Sequence, residues 1–180
     1  MKAYDLDGIF CDFTLDCFRP AAEQVLGRKL YQHTEKVYDL CQQFDLSEEE
    51  NALIWDSQQL RHTLWHAPVM NDIAPLLIQS DEPYCFITSR PENHIKLTRA
   101  WVRRVLGSDR EVYFSTPENK VIWAKRLGVE TMWEDNPSIV ADLVEAGITV
   151  HMPLYDYNAE IRHPLVKRIP NWRRPLLVVV

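Results

Sequence analysis

Two aspartates near the start of the chain, Asp5 and Asp7, have a spacing that suits paired carboxylate chemistry. The short apolar run before them predicts a buried strand, in which alternate residues point to the same face. Gly8 follows at once and permits a tight turn, so both carboxylates can open into one crevice at the strand end. Close carboxylates repel each other, and such a pair persists mainly where a cation or a reaction needs it. On this motif alone, a solvated turn is an equally good interpretation.

The composition predicts a soluble domain with a packed core. The chain has 180 residues, 46% hydrophobic and 26% charged, with a formal net charge of −6. An acidic chain does not suit a general nucleic-acid-binding protein, although a local basic pocket could still take a nucleotide. We expect no signal peptide and no membrane span, because the early aspartates interrupt the N-terminus and no apolar run approaches about 18 residues. The four cysteines lack metal-binding spacing, and we predict a cytoplasmic protein.

The order of the predicted elements indicates an α/β fold. A short strand is predicted over residues 2–5, and residues 18–80 have helical patterns throughout. Short apolar strands then alternate with helices, which is typical of a parallel sheet. Residues 153–174 are predicted to be a loop-like tail. We therefore predict a Rossmann-like parallel sheet built from residues 1–17 and 81–180, with residues 18–80 forming a small helical cap inserted after the first strand.

Polar residues follow each later strand of the predicted sheet. They are Thr88 and Ser89 after the second strand, Lys120 in the helix after the third, and Glu134 and Asp135 after the fourth. Ligands of open α/β sheets bind beyond the carboxyl ends of the strands, so these residues are expected to meet the aspartate pair. Acidic oxygens suit a hard cation such as Mg²⁺, which takes one or two carboxylates and a phosphate oxygen. Hydroxyls, backbone N–H groups and a lysine suit the remaining phosphate oxygens.

Taken in order, these motifs resemble those of the haloacid dehalogenase-like phosphatases. The match consists of four short motifs over roughly residues 1–150, namely Asp5-x-Asp7-Gly8, Thr88, Lys120 and Glu134-Asp135. The second aspartate is typical of the phosphatases and is lacking in the dehalogenases. The resemblance implies a phosphomonoesterase that uses Mg²⁺.

Within that superfamily the chain is most similar to the 5′(3′)-deoxyribonucleotidases. Three segments carry the similarity: Asp5–Phe13 resembles their extended first motif, Ile87–Pro91 their Thr-Ser segment, and Tyr157–Trp172 their C-terminal part. Two positions depart from the family pattern. Glu134 stands where an aspartate is usual, and Arg90-Pro91 follows the hydroxyl pair.

The resemblance also implies a role for each motif residue. Asp5 would attack phosphorus to form an aspartyl-phosphate, and Asp7 would protonate the leaving group and later activate water. Asp5, the backbone carbonyl of Asp7 and Asp135 would bind Mg²⁺. Glu134 would orient metal-bound water from behind. The side chains that would hold the phosphate oxygens are Thr88, Ser89 and Lys120.

The expected substrate is a small phosphate ester, with a deoxynucleoside monophosphate favoured by the resemblance. The cap would exclude water and select the leaving group. Phe13 matches the position at which the family places an aromatic ring against the base, although core packing suits it equally well. Phe18 and Tyr31 could also stack on a base. Arg90 follows the phosphate-binding loop and is a candidate substrate contact.

Two other functions remain open on the sequence. A phosphatase of polynucleotide 3′ ends shares these motifs and would suit a short cap and a basic tail, but the acidic net charge opposes it. A non-catalytic nucleotide- or partner-binding domain could keep the fold, but the presence of every motif residue opposes it. Nucleic acid and membranes are not expected partners, and a homodimer is compatible with the sequence.

Overall fold

The central sheet consists of parallel strands whose carboxyl ends share one edge. A computed structural model describes residues 1–70, 73–170 and 172 of the chain. The strands in these residues are β1 (Lys2–Tyr4), β2 (Tyr84–Thr88), β3 (Val112–Phe114), β4 (Thr131–Trp133), β5 (Thr149–Pro153) and β6 (Val166–Ile169). They pair in the order β3-β2-β1-β4-β5-β6, and every pair is parallel. The predicted Rossmann-like parallel sheet is confirmed.

Helices cover both faces of this sheet. The α-helices are α1 (Arg19–Leu26), α2 (Leu40–Phe44), α3 (Glu48–Asp56), α4 (Gln58–His66), α5 (Ile73–Ile78), α6 (Ile95–Leu106), α7 (Lys120–Arg126) and α8 (Pro137–Glu145). Shorter helical turns are a π-helical turn at Phe13–Phe18 and 3₁₀ turns at Glu92–His94, Pro117–Asn119 and Asp156–Asn158. Within the described ranges, none of these helices has both the length and the apolar composition that crossing a bilayer requires.

Alternate residues of the strands face two separate hydrophobic clusters. Phe86 of β2 joins a buried cluster with Trp101 of α6 and Leu64 of α4. The next residue, Ile87, belongs to the opposite cluster, which includes Leu143 of α8. Burial on both faces explains why β2 is apolar from Tyr84 to Ile87, as strands of parallel sheets generally are.

Local sequence signals account for several helix ends. The side chain of Ser47 accepts a hydrogen bond from the N–H of Glu50 at 3.1 Å, and the Glu50 carboxylate accepts one from the Ser47 N–H at 3.1 Å. This capping box starts α3 as the sequence predicts. Gly107, with φ of 68°, ends α6. Helix α5 is present where predicted, while its predicted cap, Asn71, lies outside the described residues.

The insertion between β1 and β2 is helical, and its helices share the core of the sheet. Phe18 and Leu60 of the insertion belong to the same buried cluster as Phe10 and Trp101. Packing of this kind fixes the insertion over one face of the sheet. The predicted cap boundaries at residues 18 and 80 stay a prediction.

The C-terminal segment differs from the predicted loop-like tail. Strand β6 pairs in parallel with β5, from Val150 opposite Val166 to Pro153 opposite Ile169. This strand was missed because it is short and has two basic residues at its centre, and an edge strand tolerates charge. Arg168 is half-buried, and its guanidinium donates to the carbonyl of Ile161 at 2.8 Å and to Asn158.

Candidate active site

Asp5, the predicted nucleophile, follows directly after β1. The N–H of Asp5 donates to the carbonyl of Trp133 at 2.9 Å, which continues the pairing of β1 with β4 by one residue. The Asp5 carboxylate accepts a hydrogen bond from the N–H of Leu6 at 2.7 Å, and Asp5 is buried. The chain then turns at Gly8, whose φ is 76°. Strand pairing and this turn together hold Asp5 and Asp7 at the carboxyl end of the sheet.

A cavity of about 200 Å³ opens at this end of the sheet. Six residues singled out from the sequence line it, namely Asp5, Asp7, Phe13, Ser89, Arg90 and Asp135. The other three, Thr88, Lys120 and Glu134, are fully buried behind its wall. The structure therefore brings the polar residues of four strand ends to one place, as the sheet topology predicts. The roles assigned to them stay predictions.

Lys120 lies between two buried carboxylates. Its Nζ is 2.7 Å from Oδ2 of Asp5 and 2.8 Å from Oε2 of Glu134, and its side chain is 0% exposed. Burial is the largest influence on the pKa of Lys120 and lowers it, but the two carboxylates together raise the pKa above its ordinary value. Lys120 is therefore a fixed positive charge directly against the proposed nucleophile.

Glu134 organises the loop that follows β4. Its Oε1 accepts hydrogen bonds from the N–H groups of Asp135 and Asn136 at 3.1 and 3.0 Å, while Oε2 binds Lys120. Both carboxylate oxygens are thus occupied by protein donors. The predicted role of Glu134, to orient metal-bound water from behind, stays a prediction, and the longer glutamate side chain is accommodated where an aspartate is usual.

Negative charge in the site exceeds what Lys120 balances. Burial raises the pKa of Asp5 to about 7, although Lys120 acts in the opposite direction. The pKa of Asp135 is well above its ordinary range, mainly through burial and then through the charges of Glu134 and Asp5. Raised pKa values mean that the ionised carboxylates lack full compensation within the protein. A bound cation would supply it.

The acidic cluster fits a metal ion. Carboxylate oxygens of Asp5, Glu134 and Asp135 lie within 4.8 Å of one another. Oδ1 of Asp135 is buried and has no hydrogen-bond partner among the described residues, so it is available to a cation. A Cβ at Gly8 would lie 2.2 Å from Oδ2 of Asp135, so glycine is required for the close approach of the two loops. The carboxylate of Asp7 points elsewhere, and its predicted contribution is the backbone carbonyl.

Arg90 holds the carboxylate of Asp7. The Nε of Arg90 is 3.1 and 3.0 Å from the two Asp7 oxygens, and Nη2 is 2.5 Å from Oδ1. Arg90 also donates to Oγ1 of Thr98 at 3.4 Å and to Sγ of Cys11 at 3.3 Å, and its side chain is 1% exposed. Burial disfavours the charged guanidinium, but Asp7 outweighs it and raises the pKa of Arg90. The pairing of Arg90 with Asp7 was not foreseen from the sequence.

The two hydroxyls after β2 have different environments. Oγ1 of Thr88 accepts a hydrogen bond from the N–H of Arg90 at 3.3 Å and shapes the loop. Oγ of Ser89 is buried, lacks a hydrogen-bond partner in the described part of the chain, and belongs to a residue that lines the cavity. Ser89 is therefore the hydroxyl better placed to donate a hydrogen bond to an anionic oxygen.

Aromatic rings form two walls of the cavity. Phe13 stacks on Trp55, with ring centroids 5.2 Å apart and planes at 21°. Tyr38 and Tyr157 form an edge-to-face pair at 5.4 Å. The cavity is lined by all four, so Phe13 serves both the core and the cavity. Of the other two aromatics considered, Phe18 is fully buried and Tyr31 is 74% exposed.

The C-terminal segment, described over residues 153–170 and 172, contacts the loops that carry the site. The sequence did not indicate these contacts. The hydroxyl of Tyr157 donates to Oδ2 of Asp135 at 2.5 Å, and burial followed by this charge raises the pKa of Tyr157 well above its ordinary range. The Tyr155 hydroxyl donates to the carbonyl of Gly8 at 2.6 Å, and Nε1 of Trp172 donates to the carbonyl of Ile9 at 2.9 Å. Tyr157 and Trp172 stand in the segment that resembles the deoxyribonucleotidases, but nothing in the sequence indicated these contacts. Tyr38 and Trp55 had no recognisable signal.

Comparison with known proteins gives structural relatives only. No protein-family profile matches the chain, and no curated protein matches it by sequence. The fold is similar to that of a HAD-superfamily hydrolase of subfamily IA from Geobacter sulfurreducens, with a TM-score of 0.59, 14% identity and 93% coverage of each chain. A putative phosphoglycolate phosphatase from Lactobacillus plantarum gives a TM-score of 0.62 at 12% identity, with 84% of each chain covered.

A third similar structure was solved with phosphate and sodium bound. It is a HAD family hydrolase from Deinococcus radiodurans, with a TM-score of 0.52 and 18% identity, covering 91% of this chain and 82% of that one. At these identities the similarity establishes the fold. The chain has the α/β fold of the haloacid dehalogenase (HAD) superfamily hydrolases, with an acidic cluster at the carboxyl end of its sheet.

Proposed function

We propose that this protein is a metal-dependent phosphomonoesterase in which Asp5 is the nucleophile. One observation carries the proposal: a single cavity is lined by Asp5, Asp135 and Ser89, and among the described residues neither Oδ1 of Asp135 nor the hydroxyl of Ser89 has a hydrogen-bond partner. Lys120 lies directly behind Asp5 at 2.7 Å. A nucleophile, a cation site and an anion donor within one cavity are the parts that phosphoryl transfer requires.

The proposed reaction has two steps. An oxygen of Asp5 bonds to phosphorus while the bond to the ester oxygen breaks, and Asp7, which enters this step in its protonated form, gives that oxygen a proton and becomes a carboxylate. Asp7 then takes a proton from water, which attacks phosphorus and releases Asp5 and inorganic phosphate. Lys120 holds the Asp5 carboxylate throughout and is also a candidate for binding a phosphate oxygen, as are Ser89 and Thr88.

Charge neutralisation is the contribution expected of the metal. Mg²⁺ is the proposed ion, held by Asp5, Asp135 and the backbone carbonyl of Asp7, and when bound it would offset the negative charge of the phosphate against Asp5. Glu134 supports this arrangement through Lys120 and the backbone of Asp135.

Arg90 is proposed to position Asp7. Its guanidinium is occupied by Asp7, Cys11 and Thr98, so contact with Asp7 is favoured over the predicted contact with substrate. A fixed carboxylate is in place for proton transfer without having to be ordered in each turnover.

The proposed substrate is a deoxynucleoside monophosphate. The aromatic walls of the cavity, Phe13 with Trp55 and Tyr38 with Tyr157, suit a flat ring in the leaving group. Stacking of a base on an aromatic side chain contributes about 1–3 kcal/mol, or roughly 5- to 150-fold in affinity. The motif resemblance to the deoxyribonucleotidases points the same way.

Phosphate release from a substrate panel tests this proposal. The panel contains deoxynucleoside monophosphates, deoxyribose 5-phosphate, phosphoglycolate and 3′-phosphorylated oligonucleotides, each with Mg²⁺ and with chelator. We expect Mg²⁺-dependent release, with a lower KM for the nucleotides than for deoxyribose 5-phosphate. Asp5→Asn should abolish release, while Asp142→Asn, at an exposed position of α8, should not. Preference for oligonucleotides would indicate an end-processing enzyme, and no release by the folded protein would indicate a binding domain.

A further inference from the structure

We propose that Tyr157 is the positioning residue of the metal site, holding one oxygen of Asp135 so that the other faces the cation. The inference rests on the metal site of the proposed function, but not on the identity of the phosphate ester. It assigns a function to the C-terminal segment, which the sequence left without one.

The two oxygens of Asp135 have opposite environments. Oδ2 accepts the hydroxyl proton of Tyr157 at 2.5 Å, whereas Oδ1 is buried and has no hydrogen-bond partner among the described residues. A buried carboxylate oxygen without a donor is costly unless a ligand completes it. Tyr157 therefore distinguishes the two oxygens, and Oδ1 is left for the cation.

The backbone around Asp135 is fixed independently of this hydroxyl. The side-chain amide of Asn158 donates to the Asp135 carbonyl at 3.1 Å and to the Pro153 carbonyl at 3.1 Å. Gly8 also lies against the carboxylate, since a Cβ at this position would be 2.2 Å from Oδ2. With the backbone held, the remaining freedom of Asp135 is rotation of its carboxylate, and the Tyr157 hydroxyl is the hydrogen-bond donor that selects one orientation.

Tyr157 is itself held in place. It belongs to the 3₁₀ turn Asp156–Asn158, and its ring lies 5.2 Å from the ring of Tyr155 and 5.4 Å from the ring of Tyr38. Tyr155 is anchored through the Gly8 carbonyl. The Tyr157 hydroxyl is thus aimed at Asp135 before any ligand binds, which is the arrangement that lowers the cost of ordering a metal site.

Loss of the hydroxyl should weaken metal binding without altering the fold. In Tyr157→Phe the ring contacts remain, but the Asp135 carboxylate is free to rotate among its acidic neighbours. Groups that orient metal ligands typically contribute about 10- to 100-fold to metal affinity. We expect a decrease of that size in the affinity for Mn²⁺, used as a spectroscopic substitute for Mg²⁺.

The test measures Mn²⁺ binding by electron paramagnetic resonance, without substrate. Tyr113→Phe is the matched control, because its ring packs against Trp123 on the edge of the sheet, away from the cavity. The proposal requires Tyr157→Phe to bind at least about tenfold more weakly than the wild type, while the variant stays folded and the affinity of the control is unchanged. Equal Mn²⁺ affinity in Tyr157→Phe and wild type overturns it.

A second measurement keeps the tyrosine hydroxyl in place. 3-Fluorotyrosine at position 157 should show a ¹⁹F resonance that shifts on addition of Mg²⁺, in step with binding. A resonance that stays fixed while the metal binds overturns the inference. If the wild-type protein binds no Mn²⁺, the metal site of the proposed function fails and this inference with it. Metal binding without phosphatase activity would leave this inference intact.

Discussion

Replacement of Lys120 by methionine is expected to destabilise the protein strongly. Methionine has a similar length and fills the same buried space, but it leaves the carboxylates of Asp5 and Glu134 without their shared cation. Removing one partner of a buried ion pair typically costs about 3–5 kcal/mol, because an uncompensated charge remains. For a domain of this size, 1 kcal/mol corresponds to about 2–4 °C, so Tm should fall by roughly 6–20 °C.

The loss of stability in Lys120→Met should depend on pH. Asp5 has an ordinary pKa of 3.8, raised by burial to about 7 in the folded protein. A raised folded pKa means that the folded state binds more protons, so this group costs stability as the pH rises. Lys120 lowers the pKa of Asp5, so this pKa is higher in the variant that lacks Lys120. The pH range over which Asp5 costs stability therefore extends to higher pH. Lys120→Met should therefore lose more stability at about pH 8 than at about pH 6.

Urea denaturation in the presence of chelator measures both effects. Lys125→Met, at an exposed position of the same helix, controls for the loss of a lysine from α7 and should change stability little. Adding Glu134→Gln to Lys120→Met should recover part of the loss, since it removes one of the two stranded charges. If Lys120→Met is no less stable than Lys125→Met at either pH, the claim that Lys120 compensates the buried charges of Asp5 and Glu134 is wrong.

Three further predictions follow from the geometry of the site. Gly8→Ala brings a methyl group within 2.2 Å of the Asp135 carboxylate at a φ of +76°; it should weaken Mn²⁺ binding by at least about tenfold, whereas Gly27→Ala, with open space around it, should not. Lysine at position 90 cannot form the bidentate pair with Asp7. In Arg90→Lys, kcat/KM should therefore fall about 10- to 100-fold for an alkyl phosphate and much less for nitrophenyl phosphate, whose leaving group needs no proton. Equal losses for the two substrates would refute the proposal that Arg90 positions Asp7. Burial raises the pKa of Asp5 to about 7 and also raises the pKa of Asp135, so protons and metal compete, and Mn²⁺ affinity in binding titrations should rise as the pH increases through about 7.

The sheet could be predicted because its strands and helices carry their own periodic signals. Residues Tyr84 to Ile87 are apolar because β2 is buried on both faces, and Gly107 ends α6 through its positive φ. The polar residues at the strand ends meet because parallel strands share one carboxyl edge. β6 escaped prediction because a four-residue edge strand with Lys167 and Arg168 at its centre resembles a solvated segment.

The cavity walls could not be predicted because they depend on contacts between distant parts of the chain. Tyr38 and Tyr157 are 119 positions apart in the sequence and meet only when the insertion packs beside the C-terminal segment. The contact of Arg90 with Asp7 spans 83 positions. No local period encodes such pairings, whereas Phe13 was identified because it lies within a recognisable motif.

Covalent labelling of Asp5 tests the central claim most directly. The protein is mixed with the best substrate and Mg²⁺, quenched in acid during turnover, digested and examined by mass spectrometry. We predict that the peptide containing Asp5 gains the mass of one phosphoryl group, that the gain disappears in Asp5→Asn, and that Asp142→Asn retains it. Phosphate release that continues in Asp5→Asn, with no phosphorylated peptide in the wild type, would contradict the proposal that Asp5 is the nucleophile.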